Sequence, residues 1–145
     1  MTSELLVAID GSTHSERVVK YAIELAKKLS AYIALLYVAP TTQIPEAYKE
    51  YAKEENVSES DYYDTVGRQI LAKYASIVKD EGIECETITD AGNAAENIMI
   101  VAKDRKSEMI IVGLQGLHGL AKVRSLGSVS RRIIENSAIP VLTVP

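Results

Sequence analysis

Short apolar runs at regular intervals are the feature that most constrains the fold of this chain. Leu5–Ile9, Tyr32–Val38 and Met109–Val112 are nearly continuous apolar segments, each of a length typical of a strand. A fourth run, Val141–Val144, closes the sequence, and Ile83–Thr89 mixes apolar with acidic residues as a half-exposed edge strand does. Continuous apolar strands are typical of a parallel sheet whose two faces are both covered.

Helical patterns occupy the intervals between these runs. The first helix follows Asp10-Gly11, with Ser12 or Thr13 as its N-cap, and another extends from Ser58 or Ser60 to a stop at Gly82. Further helices follow Gly92-Asn93 and begin at Ser128, whereas residues 41–57 form a polar surface excursion with room for one short helix. We therefore predict one α/β domain over residues 1–145. It is a single open, doubly wound, five-stranded parallel sheet of order 3-2-1-4-5 with helices on both faces.

Composition excludes several classes of protein. The net charge is −4, which disfavours a dedicated nucleic-acid binder because such proteins present a basic surface to the phosphates. Cys85 is the single cysteine, so neither a disulfide within the chain nor a cysteine metal site is expected. The first apolar run stops at Asp10 and is too short for a signal peptide or a membrane span, so we expect a cytoplasmic protein.

A glycine-rich segment follows the fourth strand. Gly113, Gly116 and Gly119 let the backbone turn tightly and approach a ligand, and Gly127-Ser128-Val129-Ser130 opens the last helix. Free N–H groups at that helix start favour an anion such as a phosphate. The alternative from the residues alone is a plain linker between a strand and a helix.

The residue spacing does not support two other phosphate-binding motifs or a histidine metal site. Neither the G-x-x-x-x-G-K-[ST] motif nor a G-x-G-x-x-G motif after the first strand is present, because Lys122 does not follow a glycine and Gly11 stands alone. His14 and His118 lack a patterned carboxylate, so they do not predict a metal site. His14 is expected to be solvated or to cap its helix, and His118 to lie at the surface.

The glycine segment resembles the nucleotide-binding signature of the universal stress proteins, which is G-x-x-G, nine residues, then G-[ST]. Gly113-Leu-Gln-Gly116 and Gly127-Ser128 match its two ends, and the resemblance extends from Leu6-Val7-Ala8-Ile9-Asp10 to the last strand. One difference is that ten residues, Leu117–Leu126, separate Gly116 from Gly127. The extra residue is either absorbed as a bulge around Gly119 or moves Gly116 away from the phosphates.

The resemblance implies a role for each matching position. Ala8, Ile9 and Asp10 would meet the ribose or adenine, and Val38 would offer backbone groups to the adenine edge. The ribose and phosphates would then be held along the second segment by Gly113, Gly116, Gly127, Ser128, Val129 and Ser130.

The resemblance also implies a function. We expect an ATP-binding stress-response or signalling module (AMP or ADP being alternative ligands), with Mg²⁺ accompanying the nucleotide. It further implies a homodimer that pairs through Val141–Val144, with no membrane or nucleic-acid partner. The alternatives are an interaction protein of the same fold that binds no nucleotide and, less favoured, a slow ATPase.

Overall fold

A computed structural model describes residues 3–40, 44–114 and 126–145. The elements in chain order are β1 (Glu4–Ile9), α1 (His14–Leu29), β2 (Tyr32–Ala39), α2 (Glu46–Glu54), α3 (Ser60–Asp80), β3 (Cys85–Ala91), α4 (Ala94–Arg105), β4 (Met109–Gly113), α5 (Ser128–Asn136) and β5 (Val141–Val144). All strand pairs are parallel and the order is β3-β2-β1-β4-β5. The predicted fold class and strand order are confirmed.

Two apolar layers cover the two faces of the sheet. Alternate strand residues, such as Leu5 and Val7, pack with α1 and α3 on one face. Their neighbours, such as Leu6 and Ile110, pack with α4 and α5 on the other face. Because each central strand is buried on both sides, its sequence is apolar at nearly every position.

The third strand begins two residues later than the sequence predicts, at Cys85 rather than Ile83. The helix before it ends in a Schellman motif, in which the Gly82 N–H donates to Lys79 O and the Ile83 N–H donates to Val78 O. Gly82 has a φ of 77° and is the predicted stop. Ile83 is therefore part of the helix end, and the strand extends instead to Ala91.

The start of α1 also differs from expectation. Thr13 is the N-cap residue but makes no side-chain capping bond. The carboxylate of Asp10 instead holds the turn that leads into α1, since its Oδ1 accepts from the Ser12 N–H at 2.9 Å and from the Ser15 hydroxyl at 3.1 Å. Neither predicted hydroxyl cap is formed, because Asp10 at the end of β1 already reaches the first turn.

A buried polar network lies at the amino-terminal edge of the sheet, opposite the predicted site. Glu4 is 4% exposed and accepts hydrogen bonds from Arg105, Ser107 and Tyr32. Arg105 also pairs with Glu86, and its bond to Glu4 is the main reason that the pKa of Arg105 is raised. The network joins α4 to three strands, so it fixes the end of the sheet remote from the ligand.

No helix among the described residues is long and apolar enough to cross a membrane.

Candidate nucleotide-binding site

The carboxyl ends of β1 and β4 form a topological switch point. These strands are neighbours in the sheet, yet the helix after β1 packs on one face and the helix after β4 packs on the other. A crevice opens outside the strand ends where connections leave in opposite directions, and ligands of open α/β sheets bind there. The predicted segment after Ile9 lies at this point, as do Gly113 and the start of α5, which hydrogen bonds join.

The face covered by α4 and α5 is open at this edge. Leu6 and Leu36 are fully buried by the two helices, whereas Ala8 and Val38, one step further along the same strands, are partly exposed. Both belong to the margin of the same apolar layer. Small apolar side chains on central strands thus form a partly exposed floor of a kind that suits a flat apolar group.

The backbone of Val38 lies at the end of the ladder between β2 and β1. The N–H of Tyr32 donates to Ser3 O and that of Ile33 donates to Glu84 O. The backbone N–H and C=O groups of even-numbered residues in β2 therefore point toward β1, and those of odd-numbered residues point toward β3. The last pair of this ladder is Ile9 with Tyr37. The next donor in register would be the Gly11 N–H, but the described residues show no hydrogen bond between it and the Val38 carbonyl. The Val38 carbonyl therefore lies beyond the last rung of that ladder.

The loop after β1 contains a polar group that the sequence prediction treated as a cap only. Within the described residues, the Ser12 hydroxyl oxygen is the one buried side-chain polar atom without a hydrogen-bond partner. A buried hydroxyl in that state costs about 1–3 kcal/mol, which a polar ligand group would recover. Its position beside Asp10 was visible in the sequence, but its lack of a partner was not.

Gly127 and the first residues of α5 supply a set of backbone donors. Gly127 is the N-cap, and the first intrahelical bond runs from the Arg131 N–H to Gly127 O at 2.9 Å. The N–H groups of Ser128, Val129 and Ser130 therefore precede the intrahelical ladder, and they lie at the positive end of the helix dipole. Ser128 and Val129 are exposed.

Ser130 differs from its two neighbours. It is 4% exposed, and its hydroxyl donates to the Gly113 carbonyl at 2.5 Å. The hydroxyl proton thus ties α5 to the end of β4, which leaves the N–H of Ser130 as its group for a ligand. Gly116, Gly119, His118 and the basic residues Lys122 and Arg124 lie outside the described residues, as does most of the ten-residue spacing.

Tyr37 and His14 are titratable groups near the described part of the site. Burial raises the pKa of the Tyr37 phenol, with smaller contributions from Tyr62 and Asp10, so this side chain stays neutral to a higher pH than an exposed tyrosine does. His14 is half-buried and its Nε2 lies 2.9 Å from the Val144 carbonyl oxygen, so it neither caps its helix nor is simply solvated. Among the described residues no three His, Cys, Asp or Glu side chains cluster as metal ligands.

A cavity of about 560 Å³ lies elsewhere, along the outer side of α1. Its lining residues all come from one short stretch of chain: Thr13, Glu16, Arg17, Lys20, Tyr21 and Glu24. A concavity with a single helix as its described wall offers no converging polar groups. The strand-end crevice is therefore the stronger candidate.

Comparisons with known proteins agree with this geometry. The model of the universal stress protein family matches residues 1–145. The chain belongs to the universal stress protein family. It is similar to universal stress protein YxiE of Bacillus subtilis, with 33% identity over 99% of both chains, and to MJ0531 of Methanocaldococcus jannaschii, with 30% identity over 97% of this chain and 81% of that one.

Solved structures share the fold. Universal stress protein UspA from Lactobacillus plantarum superposes with a TM-score of 0.80 at 18% identity, covering 99% of this chain and 97% of that one. A universal stress protein in complex with cAMP has a TM-score of 0.69 at 23% identity, covering 99% and 96%. One from Archaeoglobus fulgidus in complex with dAMP has a TM-score of 0.66 at 20% identity, covering 100% and 98%.

Proposed function

We propose that this universal stress protein binds an adenine nucleotide in the crevice outside β1 and β4, and that ATP is the principal ligand, with AMP and ADP as alternatives. The observation that supports this most is the pairing of a partly exposed apolar floor at Ala8 and Val38 with the N–H groups that precede the hydrogen-bond ladder of α5. A flat base and a polyanion need those two surfaces side by side.

The adenine end follows from the register of β2. An adenine ring lying on Ala8 and Val38 would present its amino group to the Val38 carbonyl, which lies beyond the β1 ladder. Asp10, at the end of β1, would meet the ribose. The two solved relatives with cAMP and dAMP support an adenine nucleotide as the class of ligand.

The phosphate end follows from the start of α5. The N–H groups of Ser128, Val129 and Ser130, with Gly113 and Gly116 on the path, would bind phosphate oxygens without a lysine. The Ser12 hydroxyl, in the loop after β1, would supply one more donor, which its lack of a hydrogen-bond partner among the described residues supports. Mg²⁺ usually binds through substrate phosphates and one or two carboxylates, so the nucleotide would supply most of its ligands here.

We propose in addition that the protein is a homodimer paired through β5. The Ile110 N–H donates to Pro140 O and the Leu114 N–H donates to Val144 O. The backbone groups of even-numbered residues in and next to β5 therefore point toward β4. The backbone groups of Val141 and Thr143 therefore point away from the sheet, along an apolar edge strand. Such an edge pairs readily with a second copy of itself.

The role that suits this assembly is a cytoplasmic stress-response or signalling module in which ATP biases the dimer toward one partner-binding state. An interaction protein without nucleotide is the alternative, favoured by the ten-residue spacing before Gly127. Slow ATP hydrolysis is a weaker alternative, since the described residues hold no cluster of acidic metal ligands.

The first experiment is to denature freshly purified protein and identify the released small molecules by chromatography with mass detection. Near-stoichiometric adenine nucleotide supports the proposal. Protein that is empty and gives no calorimetric signal with ATP and Mg²⁺ supports the interaction-only alternative.

Two substitutions at one position test the phosphate end. Ser128→Ala removes the hydroxyl alone, whereas Ser128→Pro removes the backbone N–H as well, at a first-turn position that tolerates proline. Gly127 before it is extended, with ψ of 157°, as a residue preceding proline must be. We expect Ser128→Pro to weaken ATP binding about tenfold or more and Ser128→Ala much less, since a hydrogen bond to a charged group contributes about 1.5–3 kcal/mol. Equal affinities for the two variants would argue against phosphate at these N–H groups.

Thr143→Pro tests the dimer edge. It removes an outward N–H and leaves the ladder to β4 intact, so the protein should fold and sediment as a monomer. Thr143→Val, which keeps the N–H, is the matched control and should remain dimeric. A Thr143→Pro protein that stays dimeric would place the interface elsewhere.

A further inference from the structure

The carbonyl of Val144 accepts two hydrogen bonds at the end of β5. His14 Nε2 lies 2.9 Å from this oxygen, and the Leu114 N–H donates to it at 2.8 Å. Val144 is 1% exposed, so the pair of bonds is sheltered from water. A carbonyl oxygen can only accept, so His14 carries its proton on Nε2 in this contact.

Each of the two donors belongs to one half of the proposed site. His14 is the first residue of α1, and in the same turn Ser12 and Ser15 donate to the Asp10 carboxylate. A shift of His14 therefore moves the turn that orients Asp10.

Leu114 makes the equivalent connection on the other side. Its carbonyl accepts from the Gly127 N–H at 2.8 Å, and Gly127 is the N-cap of α5. The adjacent Gly113 accepts from Ser130 and is paired in register with Val144. The end of β5 is thus bonded both to the segment after β1 and to the start of α5.

We propose that His14 is a positioning residue that couples nucleotide binding to pairing of the β5 edge. A nucleotide that spans Asp10 and the start of α5 would fix the positions of His14 and Leu114, the two donors to the Val144 carbonyl. It would thereby fix the orientation of β5. A second copy paired on the outward groups of Val141 and Thr143 would fix the same strand from its other side. The inference rests on the proposed function and adds the link between its two parts.

The coupling has a measurable form. If nucleotide tightens the dimer by some factor, dimerisation must tighten nucleotide binding by the same factor. Couplings between protein sites are typically about 5- to 150-fold. We expect the wild-type dimer dissociation constant to fall by a factor in this range when ATP and Mg²⁺ saturate the protein.

Two variants at position 14 isolate the hydrogen bond. His14→Leu removes the donor and keeps an apolar side chain of similar reach. His14→Gln keeps an N–H donor near the position of Nε2 and is the matched control. Thermal unfolding of both variants checks that they fold.

The experiment is sedimentation of the full chain with and without ATP and Mg²⁺, beside calorimetry of ATP binding. The expected result is that the ratio of the two dimer dissociation constants falls to about one in His14→Leu and stays near the wild-type value in His14→Gln. A merely structural role of His14 would lower stability but leave this ratio unchanged, which would overturn the inference. Wild type that binds ATP and dimerises with a ratio of one would overturn it too, whereas an absence of calorimetric binding refutes the proposed function itself.

Discussion

Replacing Gly67 by alanine tests how closely α3 packs on the sheet beside the site. Gly67 is buried in the third turn of α3. A Cβ at this position would lie 2.5 Å from Thr89 Cγ2 and 3.3 Å from Tyr37 Cδ1. The first distance is roughly 1 Å shorter than an ordinary carbon–carbon contact. Either the helix or Thr89 must therefore move.

Neither movement is easy. Thr89 is β-branched and restricted at χ1, and its hydroxyl donates to Asp64 at 3.2 Å, so a rotation that withdraws the methyl group breaks that bond. Overpacking of this kind costs about 1–3 kcal/mol, while the gain in helix propensity from glycine to alanine is about 1 kcal/mol. The difference between these two contributions leads us to expect that Gly67→Ala lowers the free energy of unfolding by up to about 2 kcal/mol.

The assay is a double-mutant cycle with Thr89→Ser, followed by urea unfolding. Serine keeps the hydroxyl for Asp64 and removes the methyl group that Cβ would meet. In this background Gly67→Ala should become neutral or stabilising, and the coupling energy should equal the overpacking cost of about 1–3 kcal/mol. If Gly67→Ala has the same effect in both backgrounds, or stabilises the wild type, the reasoning from the 2.5 Å contact is refuted.

Three further outcomes follow from other contacts. Arg105→Met should lower the free energy of unfolding by about 2–3 kcal/mol, because it leaves the buried Glu4 carboxylate without its cation. Arg105→Lys, which keeps the charge, should lower it less. Equal losses of the two variants in urea titrations would contradict a stabilising ion pair. Asn93→Ala should lower the free energy of unfolding by about 1 kcal/mol, since the Asn93 side chain caps α4 by accepting from the Glu96 N–H. Asn93→Asp, which keeps an acceptor oxygen, should retain the wild-type free energy of unfolding in the same assay. Cys85 should react with iodoacetamide more slowly in native protein than in urea, because burial raises the pKa of its thiol and less thiolate is present at a given pH. Its rate should rise only at a higher pH than that of an unfolded control, and equal rates at pH 7.5 would contradict a buried thiol.

Much of the fold was predictable because its signals are local. The apolar runs at Leu5–Ile9 and Met109–Gly113 mark strands buried on both faces, and Gly82 and Asn93 mark a helix end and a helix start. Each depends on residues close in sequence. The helix after Ser128 was likewise predictable from the glycine and serine that open it.

The site was predictable only as a set of segments. The glycine pattern and Asp10 predict two loops that meet at the strand ends, and the resemblance to the family signature predicts the class of ligand. The Ser12 hydroxyl, which has no partner within the described residues, and the bond from Ser130 to Gly113 have no sequence pattern, because each depends on which distant group comes within reach.

The sequence by itself determined the alternation of strands and helices, the parallel sheet and the family, since these follow from periodicity, turn residues and a spaced motif. Tertiary structure decided that Ile83 belongs to the end of α3 and that the Val38 carbonyl lies beyond the ladder between β2 and β1. It also decided that His14 hydrogen-bonds to Val144, 130 positions away. The physical reason is that hydrogen-bond partners and exposure are properties of the packed sheet. A residue such as His14 has the same local pattern whether it faces water or the last strand.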